Sequence, residues 1–355
     1  MIRILQCIVG MNRGGLETFT MGLMRNIDRN QIQFDYLVSN DGDYDEEILS
    51  LGGRIFKIPF ISKTGPFRYA LNLRRFFHEH PEYQIVHIQM DKFGGMTARE
   101  AFRCGLPVRI VHSHSTKNEG GLIRQTVKNY YGGMVVKYAT HLIACGEAAA
   151  IWMFGEAGSK AIIARNGVDL SRFMPKDDRE GPFTLCHVGR FIKTKNHDLL
   201  LDVFSEVVKS EPGAKLLLAG DGPLKASIRG KAERLGVLHA VEFLGMRTDV
   251  ENVFAKADAL CMPSLFEGLP VTLVEAQACG IPCLVSDAIS AESDLTGDVE
   301  FMSLGSPPGE WAKKLLRLEG RPRKDNAASL EAAGYSIRQV ASAMQELYLE
   351  LSAGL

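Results

Sequence analysis

Short apolar runs alternate with amphipathic segments of helical periodicity along most of the chain. In the first half, the apolar runs predict strands at residues 2–9, 34–38, 54–58, 85–88, 108–112 and 140–144. Helical patterns lie between them, at 16–27, 67–78 and 123–137. This alternation is typical of βαβ units, whose parallel strands are buried on both faces. The first half is therefore predicted to be a doubly wound α/β domain.

The same pattern restarts after a turn-rich segment at 175–182. It predicts a second set of strands at 183–188, 215–219, 241–243, 259–262 and 283–285. The last segment, 337–351, predicts an amphipathic helix that needs an apolar surface to cover. We expect two Rossmann-like domains, 1–170 and 171–336, and a C-terminal segment, 337–355, that packs on the second domain or returns to the first.

Composition narrows the class of protein. The chain of 355 residues has 41 Lys and Arg against 42 Asp and Glu, a net charge of −1, so no overall field draws it to nucleic acid. The basic excess is regional, with 20 basic against 15 acidic side chains in residues 1–165. Seven scattered cysteines without paired spacing are typical of a reduced protein, and no apolar stretch reaches the ~18 residues of a membrane span. We therefore expect a cytoplasmic protein.

The most informative segment is 263–282, in which a strand, a loop and a helix follow one another. Ligands of open parallel sheets bind beyond the carboxyl ends of the strands, where such loops lie. Pro270 is suited to the first helical turn, and the free N–H groups of that turn, beside flexible Gly268, form a cradle for a diphosphate. Glu267 and Glu275 would accept hydrogen bonds from hydroxyl groups on either side. The alternative is an ordinary strand, loop and helix with two solvated glutamates.

Glu267 and Glu275, separated by seven residues in a Glu-Gly-Leu-Pro context, resemble the E-x7-E segment of retaining glycosyltransferases of family 4. These are group 1 enzymes of the exopolysaccharide and capsule type. The resemblance extends over nearly the whole chain, through Gly14-Gly15-Leu16-Glu17, Arg165-Asn166-Gly167, Gly189-Arg190, Lys195-Asn196, Gly220-Asp221-Gly222-Pro223 and Phe243-Leu244-Gly245. It implies the GT-B fold, in which two Rossmann-like domains face each other across a cleft.

The resemblance also implies roles for individual residues. Arg190 and Lys195 would neutralise the charge on the leaving nucleotide diphosphate, which two cations can do without a metal ion. Accordingly, no metal or other cofactor is expected. In the family pattern, Glu267 and His112 would contact the donor sugar, and Glu275 would contact the ribose. The base and phosphates of the donor would be bound by Met246, Arg247, Gly14, Gly15, Gly189, Gly268, Leu269 and Pro270. Asn166 and Asp221 are further candidates.

Two histidines, His112 and His114, alternate on one strand or stand at its carboxyl end. Family members carry a histidine near this place that contacts the donor sugar, and we favour His112 over His114. Zinc binding would need further ligands at suitable spacing, and satisfied or surface histidines are the alternative. Asp41-Gly42-Asp43 has the form of a metal-binding D-x-D motif, but it lies in an acidic turn and is interpreted as a solvated loop.

The predicted reaction is transfer of a sugar, with retention, from a nucleotide diphosphate sugar, UDP-sugar being favoured, to a hydroxyl of a glycan or lipid-linked acceptor. The rivals are a sugar-nucleotide epimerase, a sugar-nucleotide sensor and an NAD-dependent dehydrogenase, although residues 10–15 lack the G-x-G-x-x-G spacing. The basic, aromatic stretch 68–77 would suit an anionic membrane surface on the inner face of the cell membrane, unless its aromatic rings pack inward.

Overall fold

The computed structural model describes residues 1–116, 121–268 and 270–355, with the backbone alone for residues 122–124. The chain divides into two compact units. The first contains Met1–Gly167 and Ile337–Leu355, and the second contains Val168–Ser336. The C-terminal helix, which the sequence allowed to pack on either domain, therefore belongs to the first unit. None of the described helices is long and apolar enough to cross a membrane.

The first unit is built on a parallel sheet of seven strands in the order β3-β2-β1-β4-β5-β6-β7. The strands are β1 (Ile2–Cys7), β2 (Ile32–Val38), β3 (Ile55–Lys57), β4 (Ile85–Ile88), β5 (Val108–Ser113), β6 (His141–Ala144) and β7 (Ile162–Ile163). The helices are α1 (Gly15–Asn26), α2 (Asp45–Ser50), α3 (Ile61–Glu79), α4 (Gly94–Arg103), α5 (Leu122–Tyr138) and α6 (Glu147–Phe154). α3 is interrupted at Gly65, which has a positive φ of 75°.

The second unit is built on a parallel sheet of six strands in the order β10-β9-β8-β11-β12-β13. These strands are β8 (Thr184–Val188), β9 (Lys215–Ala219), β10 (Val241–Gly245), β11 (Ala259–Met262), β12 (Cys283–Ser286) and β13 (Val299–Met302). The helices are α7 (His197–Ser210), α8 (Lys225–Arg234), α9 (Val250–Lys256), α10 (Val271–Ala278), α11 (Pro308–Leu316) and α12 (Ala327–Ala332). The predicted fold class is confirmed, since both units are doubly wound and Rossmann-like.

The last helix, α13 (Ile337–Ala353), covers one face of the first sheet. Its stripe of buried side chains includes Val340, Met344 and Tyr348, and it packs against α1. Gly22 of α1 permits this contact, because a Cβ there would lie 2.8 Å from the Ile337 side chain. The stripe predicted from the periodicity therefore completes the core of the first unit rather than that of the second.

Each sheet has one point at which the strand order reverses, between β1 and β4 in the first unit and between β8 and β11 in the second. The chain leaves the two strands at such a point in opposite directions, so their carboxyl ends open a crevice. The loops that follow β1, β4, β8 and β11 are therefore the places in each unit where a ligand is expected.

Candidate functional site

The loop after β8 brings two of the predicted cations to the switch point of the second sheet. Arg190 follows Gly189 directly and is exposed, and Lys195 closes a 3-10 turn that begins at Lys193. The Lys195 stem lies across Gly189, where a Cβ would be 3.2 Å from the lysine Cε atom. Glycine at this position therefore leaves room for the lysine to lie along the loop.

Lys195 forms an ion pair with Glu267, which lies in the loop after β11. The lysine Nζ atom is 2.7 Å from Glu267 Oε1, and the two side chains are only 16% and 13% exposed. The backbones of the two loops are also joined, because the Leu265 N–H donates to the Thr194 carbonyl over 2.8 Å. Asn196 donates from its side-chain amide to the Pro263 carbonyl over 3.0 Å. Two residues that are 72 positions apart in the sequence thus form an ion pair at the carboxyl ends of the strands.

The glycine-rich loop after β9 packs tightly against the loop that carries Arg190. Gly220 has a φ of +142°, and a Cβ there would lie 2.0 Å from the Gly189 carbonyl oxygen. The Phe191 N–H donates to the Asp221 carbonyl over 2.9 Å. The Asp221 side chain forms a surface ion pair with Lys225 at 2.7 Å, and its hydrogen bond to Lys225 lowers the pKa of the carboxyl group. This loop therefore supports the backbone of the cationic loop.

Glu275 lies within α10, one helix turn beyond the loop that holds Glu267. Burial raises the pKa of its carboxyl group to about 7, against a weaker opposing effect of the Arg172 charge. The carboxyl group is therefore poised between its charged and neutral forms near neutral pH. A ligand that donates hydrogen bonds to it would favour the charged form.

The remaining residues predicted for the second unit lie on the same edge of the sheet. Met246 and Arg247 are exposed directly after β10, and Arg247 pairs with Asp249 at 2.5 Å. Gly268 is half-buried, and Leu269 lies outside the described residues. Pro270 is the N-cap residue of α10 rather than part of its first turn, since its ψ of 114° is extended. Its carbonyl accepts the first hydrogen bonds of the helix.

In the first unit, the loop after β1 leads through Gly14 into α1, which begins at Gly15. Gly14 is extended, and a Cβ there would lie 2.4 Å from the Glu17 carboxylate, which covers the turn. The acidic loop 41–43 supports this turn, because the Arg13 N–H donates to Asp43 over 3.2 Å. Asp41 pairs with Lys57. The expectation that the acidic loop is merely solvated is therefore incomplete.

The two predicted histidines lie at the carboxyl end of β5, with their rings 3.9 Å apart. His112 is buried, with 1% of its surface exposed, whereas His114 is partly exposed. His114 Nδ1 lies 3.0 Å from Asn166 Oδ1, so the structure brings together three of the predicted residues. The preference for His112 as the residue that contacts the donor sugar stays a prediction. However, His112 is buried, so His114 is the ring that a ligand can reach more easily.

Both imidazoles are neutral at physiological pH. Burial lowers the pKa of His114 to about 4, against a weaker opposing effect of its hydrogen bond to Asn166. Burial also lowers the pKa of His112 well below its ordinary value, and the neighbouring rings of His114 and His87 lower it further. A neutral imidazole carries one N–H and one lone pair, so it offers a ligand a hydrogen bond but no charge. Any positive charge for an anionic ligand must therefore come from residues other than these histidines.

The polar residues behind these histidines were not predicted from the sequence. Gln6 of β1 and His87 of β4 are completely buried, and Gln89, directly after β4, lies 2.9 Å from His114 through its Oε1 atom. Tyr348 of α13 also reaches this cluster. The available signal was a polar side chain inside an otherwise apolar strand, as at His87, because buried polar groups in a core are generally partnered.

Two family descriptions match the chain. "Glycosyltransferase Family 4" matches residues 13–172, and "Glycosyl transferases group 1" matches residues 172–333. The boundary between the matches lies close to the division of the chain into two units after Gly167.

Similar proteins are found among bacterial polysaccharide enzymes. The protein named glycosyltransferase EpsF of Bacillus subtilis is 36% identical over 98% of this chain and 96% of its own length. The capsular polysaccharide biosynthesis glycosyltransferase CapH of Staphylococcus aureus is 24% identical over 98% and 99%. Anabaena HepE, solved in complex with UDP-glucose, shares the fold with a TM-score of 0.74 and 17% identity over the whole of both chains. The chain therefore belongs to the group 1 glycosyltransferases of family 4, with the two-domain GT-B fold, and is related to capsule and exopolysaccharide glycosyltransferases.

Proposed function

We propose that the protein transfers a sugar from a UDP-sugar to a hydroxyl group of a glycan or lipid-linked acceptor, with retention at the anomeric carbon and without a metal ion. The observation that carries this proposal is the Lys195–Glu267 pair, with Arg190 in the same loop, at the switch point of the second sheet. The UDP-glucose complex of HepE supports the donor class, and the name of CapH supports a role in polysaccharide synthesis.

The two residues of the charged pair bind different parts of the donor, the diphosphate and the sugar. As the bond between the sugar and the diphosphate breaks, negative charge grows on the leaving phosphate, and Arg190 and Lys195 stabilise it. When Lys195 pairs with the diphosphate instead of with Glu267, the Glu267 carboxylate can accept hydrogen bonds from the sugar hydroxyls. The acceptor oxygen bonds to the anomeric carbon on the face that the phosphate leaves, and the departing phosphate oxygen takes the acceptor's proton. No separate nucleophile is required by this scheme.

In the first unit we assign the contact with the donor sugar to His114, because it is the more exposed of the two histidines. Asn166 lies at its Nδ1 atom and Gln89 at its Nε2 atom, so a sugar hydroxyl that hydrogen-bonds this ring replaces one of these two contacts. Asn166 holds one side of that ring. His112 supports this ring from behind, with 32° between the two ring planes.

The proposed function is tested by binding and product analysis. A thermal-shift panel of UDP, GDP, ADP, CDP and NAD, each with Mg²⁺ and with EDTA, should show stabilisation by UDP alone and equally in both conditions. Transfer from UDP-sugars should then yield a product with the donor's anomeric configuration. A shift by NAD alone would indicate a dehydrogenase, and consumption of UDP-sugar without an acceptor would indicate an epimerase.

The titration of Glu275 predicts how nucleotide affinity depends on pH. Burial holds the pKa of this carboxyl group at about 7, and ribose hydroxyls donate best to its charged form. The affinity for UDP should therefore rise between pH 6 and 8 more steeply in the wild type than in Glu275→Gln. Both proteins share the ionisation of the UDP phosphate, so the difference between their calorimetric profiles isolates Glu275. Parallel profiles would contradict the assignment of Glu275 to the ribose.

We also propose that α3 rests on an anionic membrane surface. Most of the aromatic rings of this helix pack inward, as the alternative interpretation expected, and Tyr69, Phe76 and Phe77 are buried. Phe67 and Leu71, however, are 81% and 54% exposed, and they lie one helix turn apart beside exposed Arg68. Such a pairing of apolar and basic side chains favours the lipid interface.

Liposome sedimentation tests this surface. The protein should co-sediment at low salt with vesicles that contain an anionic lipid, and less with vesicles of phosphatidylcholine. The double variant Phe67→Ser and Leu71→Ser should lose this binding. Phe102→Ser serves as the matched control, because it removes a ring of α4 that is 53% exposed, close to the exposure of Leu71, and that Arg109 covers. Equal binding by the two variants would refute a role for α3.

A further inference from the structure

A buried chain of hydrogen bonds runs from the C-terminal helix to the histidines of β5. The Tyr348 hydroxyl lies 2.6 Å from His87 Nδ1, and His87 Nε2 lies 3.2 Å from His112 Nδ1. The rings of His87 and His112 are almost parallel, with 3° between their planes. All three side chains are at most 1% exposed. The Ala164 backbone also forms a hydrogen bond with the His112 ring, which opposes part of the lowering of its pKa.

The direction of these hydrogen bonds follows from the partners of the Tyr348 hydroxyl. Its oxygen accepts from the Gln6 side-chain amide, and its proton has His87 Nδ1 as the acceptor, 2.6 Å away. The Tyr348 hydroxyl therefore donates to His87 Nδ1. Burial keeps the His87 ring neutral by lowering its pKa to about 3, so its single proton must be on Nε2. That N–H donates to His112 Nδ1, which in turn places the proton of His112 on Nε2.

A second branch leads from the same hydroxyl to His114. The Gln6 side chain contacts the Tyr348 hydroxyl at 3.5 Å and accepts from the Gln89 amide over 2.8 Å. Gln89 lies beside His114, whose other nitrogen faces Asn166. Gln89 uses its NH₂ group on Gln6, so its Oε1 atom accepts the single N–H of neutral His114 from Nε2. His114 Nδ1 is then an acceptor, and Asn166 meets it with the NH₂ end of its amide.

We propose that Tyr348 is a positioning residue for the histidines of the donor site, since its hydroxyl orients His112 through His87 and holds His114 through Gln6 and Gln89. The role of His114 in this inference rests on the proposed function. The C-terminal helix thus does more than cover apolar surface, because its one buried hydroxyl sets the protonated nitrogen of two imidazoles. His112 then supports the His114 ring from behind, with a ring-centre separation of 3.9 Å.

The tautomers can be observed without an activity assay. Long-range ¹H–¹⁵N spectra of protein labelled at histidine distinguish rings protonated at Nε2 from rings protonated at Nδ1. In the wild type, His87 and His112 should both carry the proton on Nε2. A wild-type His87 protonated at Nδ1 would overturn the proposal, whether or not the enzyme is active.

Tyr348→Phe removes the hydroxyl and keeps the ring that packs in the core. We expect His87 and His112 to become mixtures of tautomers and kcat for sugar transfer to fall about tenfold, with the affinity for UDP unchanged. The matched control is Tyr36→Phe, which removes an equally buried hydroxyl from β2 whose contact is the Met24 thioether. This control should keep the wild-type tautomers and kcat.

The outcomes separate the inference from the function on which it rests. A wild type that transfers no sugar from any donor would refute the proposed function, while its spectra would still decide the orientation of His87 and His112. An active wild type with a Tyr348→Phe variant of equal kcat and unchanged tautomers would refute the role of Tyr348. Thermal unfolding of each variant confirms that the folded protein is compared.

Discussion

Lys195→Ala should lower kcat/KM for sugar transfer by about 10²–10³-fold, the usual cost of removing one group that stabilises charge in a transition state. The change removes a cation from the proposed diphosphate site. It also leaves the Glu267 carboxylate, only 13% exposed, without the lysine that lies 2.7 Å away. That unpaired charge would repel the donor, so both kcat and the donor KM should worsen. Initial rates over a range of donor concentrations measure the effect.

Two further variants make this result specific. Lys193→Ala removes a lysine from the same 3-10 turn, but one that is exposed, and it should change kcat/KM by less than about twofold. Adding Glu267→Gln to Lys195→Ala should restore part of the donor affinity, because the unpaired charge is then gone, without restoring kcat. Similar losses from Lys193→Ala and Lys195→Ala would show that net charge, rather than this ion pair, matters.

The second large effect is a loss of stability in mild acid. Burial lowers the pKa of half-buried His141 only modestly. It lowers the pKa of five other imidazoles strongly, to about 3 in His87, to about 4 in His114 and His197, and well below the ordinary value in His112 and His187. The unfolded chain binds protons at these sites below about pH 6.5 and the folded protein does not, so stability falls as the pH falls. Each ring should cost about 2 kcal/mol at pH 5.

Glu275 opposes this trend, because its raised pKa makes the folded state bind a proton that the unfolded state binds only at lower pH. Its contribution to the free energy of unfolding at pH 5 is about as large as that of one imidazole and has the opposite sign. The sum is still several kcal/mol. We expect Tm to fall by about 10–20 °C between pH 7.5 and pH 5, as measured by calorimetry. A Tm that is constant over this interval would show that these imidazoles are not held neutral.

His197→Phe tests one of the five rings alone. His197 is buried, packs edge to face against His187 at 4.7 Å, and has no hydrogen-bond partner at either nitrogen among the described residues. A phenyl ring keeps this packing and cannot titrate, so the loss of stability at pH 5 should shrink by about 2 kcal/mol. His239→Asn, at an exposed position, should leave the pH dependence unchanged.

Much of the architecture could be predicted because long apolar runs and helical periodicity are local properties. The strands at the centres of both sheets were found from their apolar runs, and so was the C-terminal helix. β7, by contrast, has two half-exposed residues, too few for a pattern. α4 was missed because it begins with Gly94-Gly95, a pair typical of a turn. A Cβ at Gly95 would lie 2.0 Å from the Tyr131 carbonyl oxygen, so close packing against α5 requires the glycine.

The sequence by itself determined the two doubly wound units, the family and the loops that carry Arg190, Lys195 and Glu267, because each of these loops directly follows a strand. Only the tertiary structure decided that Lys195 pairs with Glu267 and that His112 is buried behind His114. It also decided that a tyrosine 261 positions from His87 completes the histidine cluster. The physical reason is that periodicity assigns a residue to an element and a face, whereas contacts between distant segments depend on strand order and on how closely the elements pack.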